Sequence, residues 1–279
     1  MARGIVPTPV PSLRIIPDPS TNPALRARAE SLARELSAIS SDLALVVTPH
    51  RLELRVPDAR LGAVYIDPDA VDPQTLRGGN KRQLIARAVG VGGTWSRGKA
   101  PRILDCSAGL LGDAMLLSAL GCEVVAVERS AVLHAMQRDA LERLRASDDP
   151  DKAAMAARIA LLHEDAASVL ARLVAGETIP PDWRPEAIYF DPMHPERRKS
   201  ALVKKEMRIL RTLVGDDPDS GAVLRAAIAV PGVRRVVLKM PRLSPPLTGA
   251  EGLTPVGLHE GRSVRYEVYS GAGSGPVTG

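Results

Sequence analysis

Residues 102–121 read RILDCSAGLLGDAMLLSALG, and the order of residue types in this stretch sets the architecture around it. A short apolar run ends on Asp105. A turn with Ala108, Gly109 and Gly112 follows, and Asp113–Leu120 then carries a helical pattern. Strand, acid, glycine turn and helix in that order form one arm of a strand–helix–strand unit. Glycine in the turn lets a ligand approach the backbone, and the helix start offers unpaired N–H groups. The spacing D-x-x-x-G-x-x-G is not the G-x-G-x-x-G of dinucleotide-binding turns.

On the C-terminal side the alternation continues. Strands are expected at Arg102–Asp105, Glu123–Glu128, Arg158–His163, Glu186–Asp191 and Val233–Lys239. Helices are expected at Asp113–Leu120, Ala131–Arg145, Ala166–Ala175 and Ser200–Leu213. A proline-rich loop (Pro241, Pro245, Pro246) and a last strand, Ser263–Tyr269, close the pattern. Apolar strands separated by helices predict an α/β fold with a parallel sheet covered on both faces. On the N-terminal side, residues 1–22 contain five prolines and read as a flexible arm. Asn22-Pro23 starts a helix that places Leu25, Ala29, Leu32, Leu36 and Ile39 on one face. Short strands at Leu43–Thr48, Leu52–Val56 and Val64–Asp67 complete a small α+β subdomain over 23–72. The expected organisation continues with a basic helix and connection (73–100), the main α/β domain (101–271) and a flexible tail (272–279).

Acids stand at successive strand ends. Glu128 closes the second strand, about 20 residues beyond the glycine turn, where a carboxylate can accept hydrogen bonds from both hydroxyls of a ribose. The third strand ends at His163-Glu164-Asp165, and Asp165 can accept from an exocyclic adenine amine. The fourth delivers Asp191-Pro192-Met193-His194. A carboxylate and a backbone carbonyl at such a turn can accept both hydrogens of an aromatic amine, whose conjugated lone pair makes it a poor nucleophile, and aim its nitrogen. Pro192 restrains that turn.

The D-x-x-x-G-x-x-G turn resembles the first motif of Rossmann-like S-adenosylmethionine (SAM) methyltransferases, and D-P-M-H resembles the D-P-P-Y/F motif of those that modify base amines. The stretches LVVTPHRLELR, IARAVGV, LDCSAGLLGDA, CEVVAVERS, YFDPMHP, KSALVKKEMRILRTLVG and RRVVLKMP together make residues 42–271 similar to the bacterial ribosomal RNA small subunit methyltransferase J family. That resemblance implies a SAM-dependent enzyme, cytoplasmic, acting on N2 of one guanine in 16S rRNA, free or within the small ribosomal subunit. It implies SAM contacts at Gly112-Asp113, Glu128-Arg129, Asp165-Ala166 and Asp191, beside Asp105 and Gly109 of the turn. Asp191, Pro192 and His194 would handle the base; where the family carries an aromatic residue, His194 can stack on the base or stand as a solvated loop histidine. The chain has Gly112 where the family commonly has Arg, and Asp165-Ala166 where it has two serines. Two other readings stay open: a nicotinamide-dependent oxidoreductase on the same sheet, and an RNA-binding protein without catalysis.

Composition narrows the choice. The chain has 279 residues, 45% of them hydrophobic, enough for a sizeable core, but aromatics are only 3%, so aliphatic residues must fill it. Cys106 and Cys122 cannot form a disulfide framework or, alone, a structural zinc site, and His50, His134 and His259 are scattered, so no metal is expected. No apolar run approaches the roughly 20 residues of a membrane span, and the N-terminus lacks the apolar core of a secretory signal. The net charge of +5 hides an uneven distribution. Residues 73–104 carry seven basic and no acidic residues, and 196–211 carry seven basic and two acidic, so the rest of the sequence is at −7. In the second segment Arg197, Arg198, Lys199, Lys204, Lys205 and Arg208 are the candidate RNA contacts, placed directly after the base-handling turn.

Overall fold

Asn22 starts the first helix through its own chemistry: its side chain accepts the Ala24 N–H (2.9 Å), and Pro23 occupies the first turn, where its missing N–H costs nothing. This helix, α1 (Pro23–Glu35), buries Leu25, Ala29 and Leu32 against β1 (Arg14–Pro17) and β2 (Ala44–Val47). β1 and β2 run parallel; β3 (Leu52–Arg55) and β4 (Ala63–Val64) add antiparallel, giving the order β1-β2-β3-β4. The strand expected over Val64–Asp67 stops early. Asp67 turns its carboxylate onto the Asp69 N–H (3.0 Å) and starts a 3-10 turn, Pro68–Ala70.

The computed structural model describes residues 13–18, 22–37, 43–56, 62–76, 83–92, 100–193, 209–210, 213–215 and 219–273. They fall into two compact units, one drawn from Met1–Tyr65 and Arg197–Gly215, the other from Ile66–Glu196 and Asp216–Gly279.

The second unit opens with the short helices α2 (Pro73–Leu76) and α3 (Leu84–Val89). Its sheet is built from β5 (Arg102–Asp105), β6 (Glu123–Val127), β7 (Ile159–Leu162), β8 (Ala187–Phe190), β9 (Arg235–Pro241), β10 (Gly257–Glu260) and β11 (Val264–Ser270), in the order β10-β11-β9-β8-β5-β6-β7. Five strands are parallel, as the alternation predicts, whereas β11 pairs antiparallel with both β9 and β10. The order turns back between β5 and β8, so the loops leaving those strands diverge and open a crevice at their C-terminal ends.

Helices α4 (Gly112–Ala119), α5 (Ala131–Arg145), α6 (Pro150–Ala157), α7 (Ala166–Val174) and α8 (Ser220–Ala229) surround the sheet. Val169, Leu170 and Leu173 of α7 and Val223, Leu224 and Ala227 of α8 join Leu104, Val125, Ile188, Phe190 and Leu238 in one buried cluster. The alternating residues Ile103, Val124, Ala126 and Tyr189 are equally buried, as a sheet covered on both faces requires. The core is nearly all aliphatic.

Several elements go beyond the sequence expectations, the four-residue α2 among them. α6 starts at Asp149-Pro150 with the same cap-and-proline signal as α1, Asp149 accepting the Asp151 N–H (2.9 Å). α8 and β10 form where the sequence suggests only connection. The helix expected over Ser200–Leu213 lies largely outside the described residues, as do residues 77–82 and 93–99 of the basic helix and connection expected over 73–100.

Candidate active site

The turn after β5 is tied on three sides. Asp105 is buried at the strand end, and its carboxylate accepts the Ser107 N–H (2.9 Å) and hydroxyl (3.3 Å). The Ser107 oxygen in turn accepts the Asp191 N–H at 2.7 Å, joining the two loops that diverge at the crevice. Gly109 sits at φ +48°, donates its N–H to Glu128 (3.0 Å) and accepts from the buried Gln137 amide at 2.8 Å. Leu111, also fully buried, takes φ +60° as the residue that caps α4, a backbone state that costs an L side chain roughly 1–2 kcal/mol. The Cβ that a residue would bring at Gly112 meets nothing within 4 Å, so the first turn of α4 borders open space.

Asp113, in that first turn, accepts from the Tyr189 hydroxyl (2.6 Å) and from Lys239 Nζ (2.7 Å). The same Nζ lies 2.9 Å from the Asp191 carboxylate. Lys239 of β9 therefore bridges the helix start and the D-P-M turn. Burial pulls its ammonium down, but the charges of Asp191 and Asp113 overcome that and hold it above the ordinary lysine value. Burial, reinforced by the same two carboxylates, raises the Tyr189 phenol well above its usual value.

Glu128 closes β6 as expected, and its two oxygens are already engaged by Gly109 and by the Ser130 N–H (2.8 Å). Burial raises its carboxyl, and these N–H donors partly offset that. Oε2 also lies 3.5 Å from the Gln137 amide, so it is Oε1 that keeps a second lone pair for an incoming hydroxyl. Asp165 caps α7 through one oxygen, which accepts the Ala167 and Ser168 N–H groups (2.9 and 3.4 Å). The carboxylate is otherwise exposed, with Ala166 beside it.

The electrostatic balance shows what ligand suits this crevice. Asp105, Asp113 and Asp191 act on one another, and Lys239 is the cation that pairs with two of them. Burial, with the repulsion of Asp113 and Asp191, lifts Asp105 to about 7 even though Ser107 donates to it. A buried carboxylate in that condition is relieved by a positive ligand. SAM, with a sulfonium and an ammonium group, fits this donor set, and the glycine turn leaves backbone room beside it.

The structure thus brings Asp105, Gly109, Gly112, Asp113, Glu128 and Asp191 to the C-terminal edges of β5, β6 and β8, with Pro192 buried behind Asp191. Arg129 is exposed beyond Glu128, and its carbonyl lies 3.3 Å from His163 Nε2. His194, Arg197, Arg198, Lys199, Lys204, Lys205 and Arg208 lie outside the described residues. Sequence reasoning misses Ser107, Gln137, Tyr189 and Lys239. Ser107, Tyr189 and Lys239 fall within LDCSAGLLGDA, YFDPMHP and RRVVLKMP, whereas Gln137 lies outside the stretches that carry the resemblance. The histidines are also less scattered than their sequence positions suggest: the rings of His134 and His163 stack at 5.0 Å. Among the described residues no group of three or more His, Cys, Asp or Glu is placed to hold a metal ion. Both cysteines are buried and free, and burial raises the Cys122 thiol to about 12.

Residues 30–271 match a family model described as "Putative SAM-dependent methyltransferase". Curated relatives called ribosomal RNA small subunit methyltransferase J include one from Pseudomonas fluorescens, 40% identical, with the match covering 88% of this chain and 91% of the relative. Another, from Pseudomonas paraeruginosa, is 47% identical over 88% of this chain and 89% of the relative. A third, from Chromohalobacter salexigens, is 42% identical over 81% and 84%. A solved SAM-dependent methyltransferase from Neisseria gonorrhoeae superposes with a TM-score of 0.68 at 26% identity, covering 95% of this chain and 99% of that one. Sheet, strand-end acids and sequence agree, and the chain belongs to the ribosomal RNA small subunit methyltransferase J family of SAM-dependent methyltransferases.

Proposed function

We propose that this enzyme methylates the exocyclic N2 of a guanine in 16S rRNA of the small ribosomal subunit, in the cytoplasm. The observation that carries this reading is the Lys239 bridge, which holds the carboxylate of the base-handling turn against the start of the cofactor-side helix. SAM supplies a methyl group on a positively charged sulfur. The chain's own residues do the rest. Asp105 provides negative charge beside the glycine turn, Glu128 offers the remaining lone pair of Oε1 to a ribose hydroxyl, and Asp165 offers its second oxygen to an adenine amine. Gly112, Asp113, Arg129 and Ala166 complete the proposed lining.

Asp191 would accept one hydrogen of the guanine amine and a backbone carbonyl of the turn the other, aiming the nitrogen at the methyl group. Transfer would leave the sulfur neutral and the nitrogen positive, and the nitrogen would give its extra proton to water or to Asp191, which need not be a strong base. His194 would stack on the base, and Arg197, Arg198, Lys199, Lys204, Lys205 and Arg208 would hold flanking phosphates while the base enters the crevice. Among the described residues no helix is long and apolar enough to cross a membrane.

The test is transfer of labelled methyl from SAM to small-subunit rRNA, with the modified nucleotide mapped. Asp191→Ala should abolish incorporation while SAM still binds. Label on a different base, or on protein alone, would refute the assignment.

A further inference from the structure

At the opposite end of β9 from the active site lies a second cavity, of about 500 Å³. Arg87, Arg234, Arg235 and His259 line it together with Val256 and Tyr269, and among the described residues its lining contains no Asp or Glu. Arg235 is held in place by donating to the carbonyls of Arg87 and Ala88 (3.3 Å each) at the end of α3. That leaves the exposed Arg87 guanidinium without a carboxylate partner among the described residues. The positive charge is felt inside the cavity: burial, then Arg87 and Arg235, push the His259 imidazole below its ordinary value. A concavity lined by basic side chains, with no carboxylate in its described lining, suits an anion by charge complementarity.

Two further observations say which anion. The cavity wall includes Arg87 of the acid-free stretch 73–104, whose other basic residues flank α3 in sequence. Arg235 and Lys239 are four residues apart on β9, about 13 Å at roughly 3.3 Å per residue. Val237 between them on that face is fully buried, so RNA presenting a base at Asp191 would reach the cavity over the surface and not along the strand.

We propose that the Arg87–Arg234–Arg235–His259 cavity is a docking site for backbone phosphates of the RNA substrate, remote from the reacting base. The proposal rests on the rRNA reading above. Its ligand is a phosphodiester anion, and its contribution is affinity and register, with no part in the chemical step.

The experiment compares wild-type enzyme with the double variant Arg87→Gln/Arg234→Gln, using a fluorescent small-subunit rRNA fragment over a range of salt concentrations. Both residues are exposed, and SAM affinity reports that the variant is folded. The expected result is RNA binding weakened about tenfold at low salt, a log–log salt slope smaller by roughly 1–2, and unchanged kcat at saturating RNA. Unchanged RNA affinity and slope would overturn the proposal while leaving the methyltransferase reading intact. Wild-type enzyme that neither binds nor methylates rRNA would remove both. In a second arm inorganic phosphate is titrated against chloride at equal ionic strength, following the His259 resonances by NMR. Phosphate that moves them and displaces RNA from wild type but not from the variant supports the site. Phosphate that moves them without displacing RNA makes this a small-anion site and overturns the RNA assignment.

Discussion

Lys239 and Asp105 solve opposite problems in the same crevice, and each leads to a separate prediction. Lys239 neutralises two carboxylates that the fold places side by side, and its own side chain is only 22% exposed. Removing it leaves both acids uncompensated in a partly dry site. Lys239→Met should cost about 2 kcal/mol of stability and lower methyl transfer by two orders of magnitude or more, about 3 kcal/mol of barrier. Lys239→Arg should recover much of the stability, because charge is kept, but less of the rate, because the geometry of the bridge changes. Thermal melts and single-turnover methylation check both statements.

Asp105 has no such partner. Its carboxyl titrates near 7 in the folded chain against 3.8 as the ordinary value. Between about pH 4 and 7 the folded chain holds a proton that the unfolded chain has lost, so stability falls as pH rises through that window, by at most about 4 kcal/mol. Asp105→Asn should flatten that slope in denaturant titrations. A cationic ligand favours the ionised carboxylate, so SAM affinity should rise with pH through about 7 in wild type and stay level in the variant. Calorimetry at pH 6 and 8 would show it.

At the scale of elements, the glycine turn separates two residues that the motif treats alike. Gly109 needs its positive φ, and both its N–H and its carbonyl are pinned, by Glu128 and Gln137. Gly112 stands at the start of α4 with open space where a Cβ would go. Gly109→Ala should therefore cost about 1 kcal/mol through backbone strain and weaken SAM binding by shifting the turn. Gly112→Ala should be neutral or stabilising by up to about 1 kcal/mol, since it adds a good helix former where nothing obstructs it. The family's common arginine at this position is sterically reasonable for the same reason. Melting curves and SAM titrations of the two variants test the contrast.

This contrast also shows what the sequence makes legible. Strand ends can be read from apolar runs, which is why Asp105, Glu128, Asp165 and Asp191 stand out. Their partners do not, because Lys239 meets Asp113 across 126 residues and Ser107 meets Asp191 across 84. The same holds for elements. α7 announces itself through a strong apolar stripe, whereas α8 is Ala-rich and contains Gly221 pressed against the backbone at Thr248 and Gly249, where a Cβ would come within 2.6 Å. β10 is four residues long and is a strand only because β11 pairs with it in antiparallel register.

Across the whole molecule, charge is divided between jobs. In the proposed function the strand-end acids face a cationic cofactor, while the basic excess is concentrated in residues 73–104 and 196–211. If 196–211 holds RNA phosphates, replacing Arg197, Arg198, Lys199, Lys204, Lys205 and Arg208 by Gln should act on substrate binding alone. Every phosphate that is no longer neutralised reduces the log–log salt slope of RNA binding by roughly 0.7–0.9. The variant should therefore raise the KM for rRNA most at low salt, the gap to wild type narrowing as salt rises. SAM affinity should hold, because none of the six residues belongs to the proposed cofactor lining. Asp191→Ala should show the reverse pattern, with RNA affinity and salt slope near wild type and methyl transfer gone. Measuring RNA binding, SAM binding and single-turnover rate on both variants separates substrate capture from base presentation. Loss of SAM binding in the six-fold variant would place that segment in the cofactor site and refute the division.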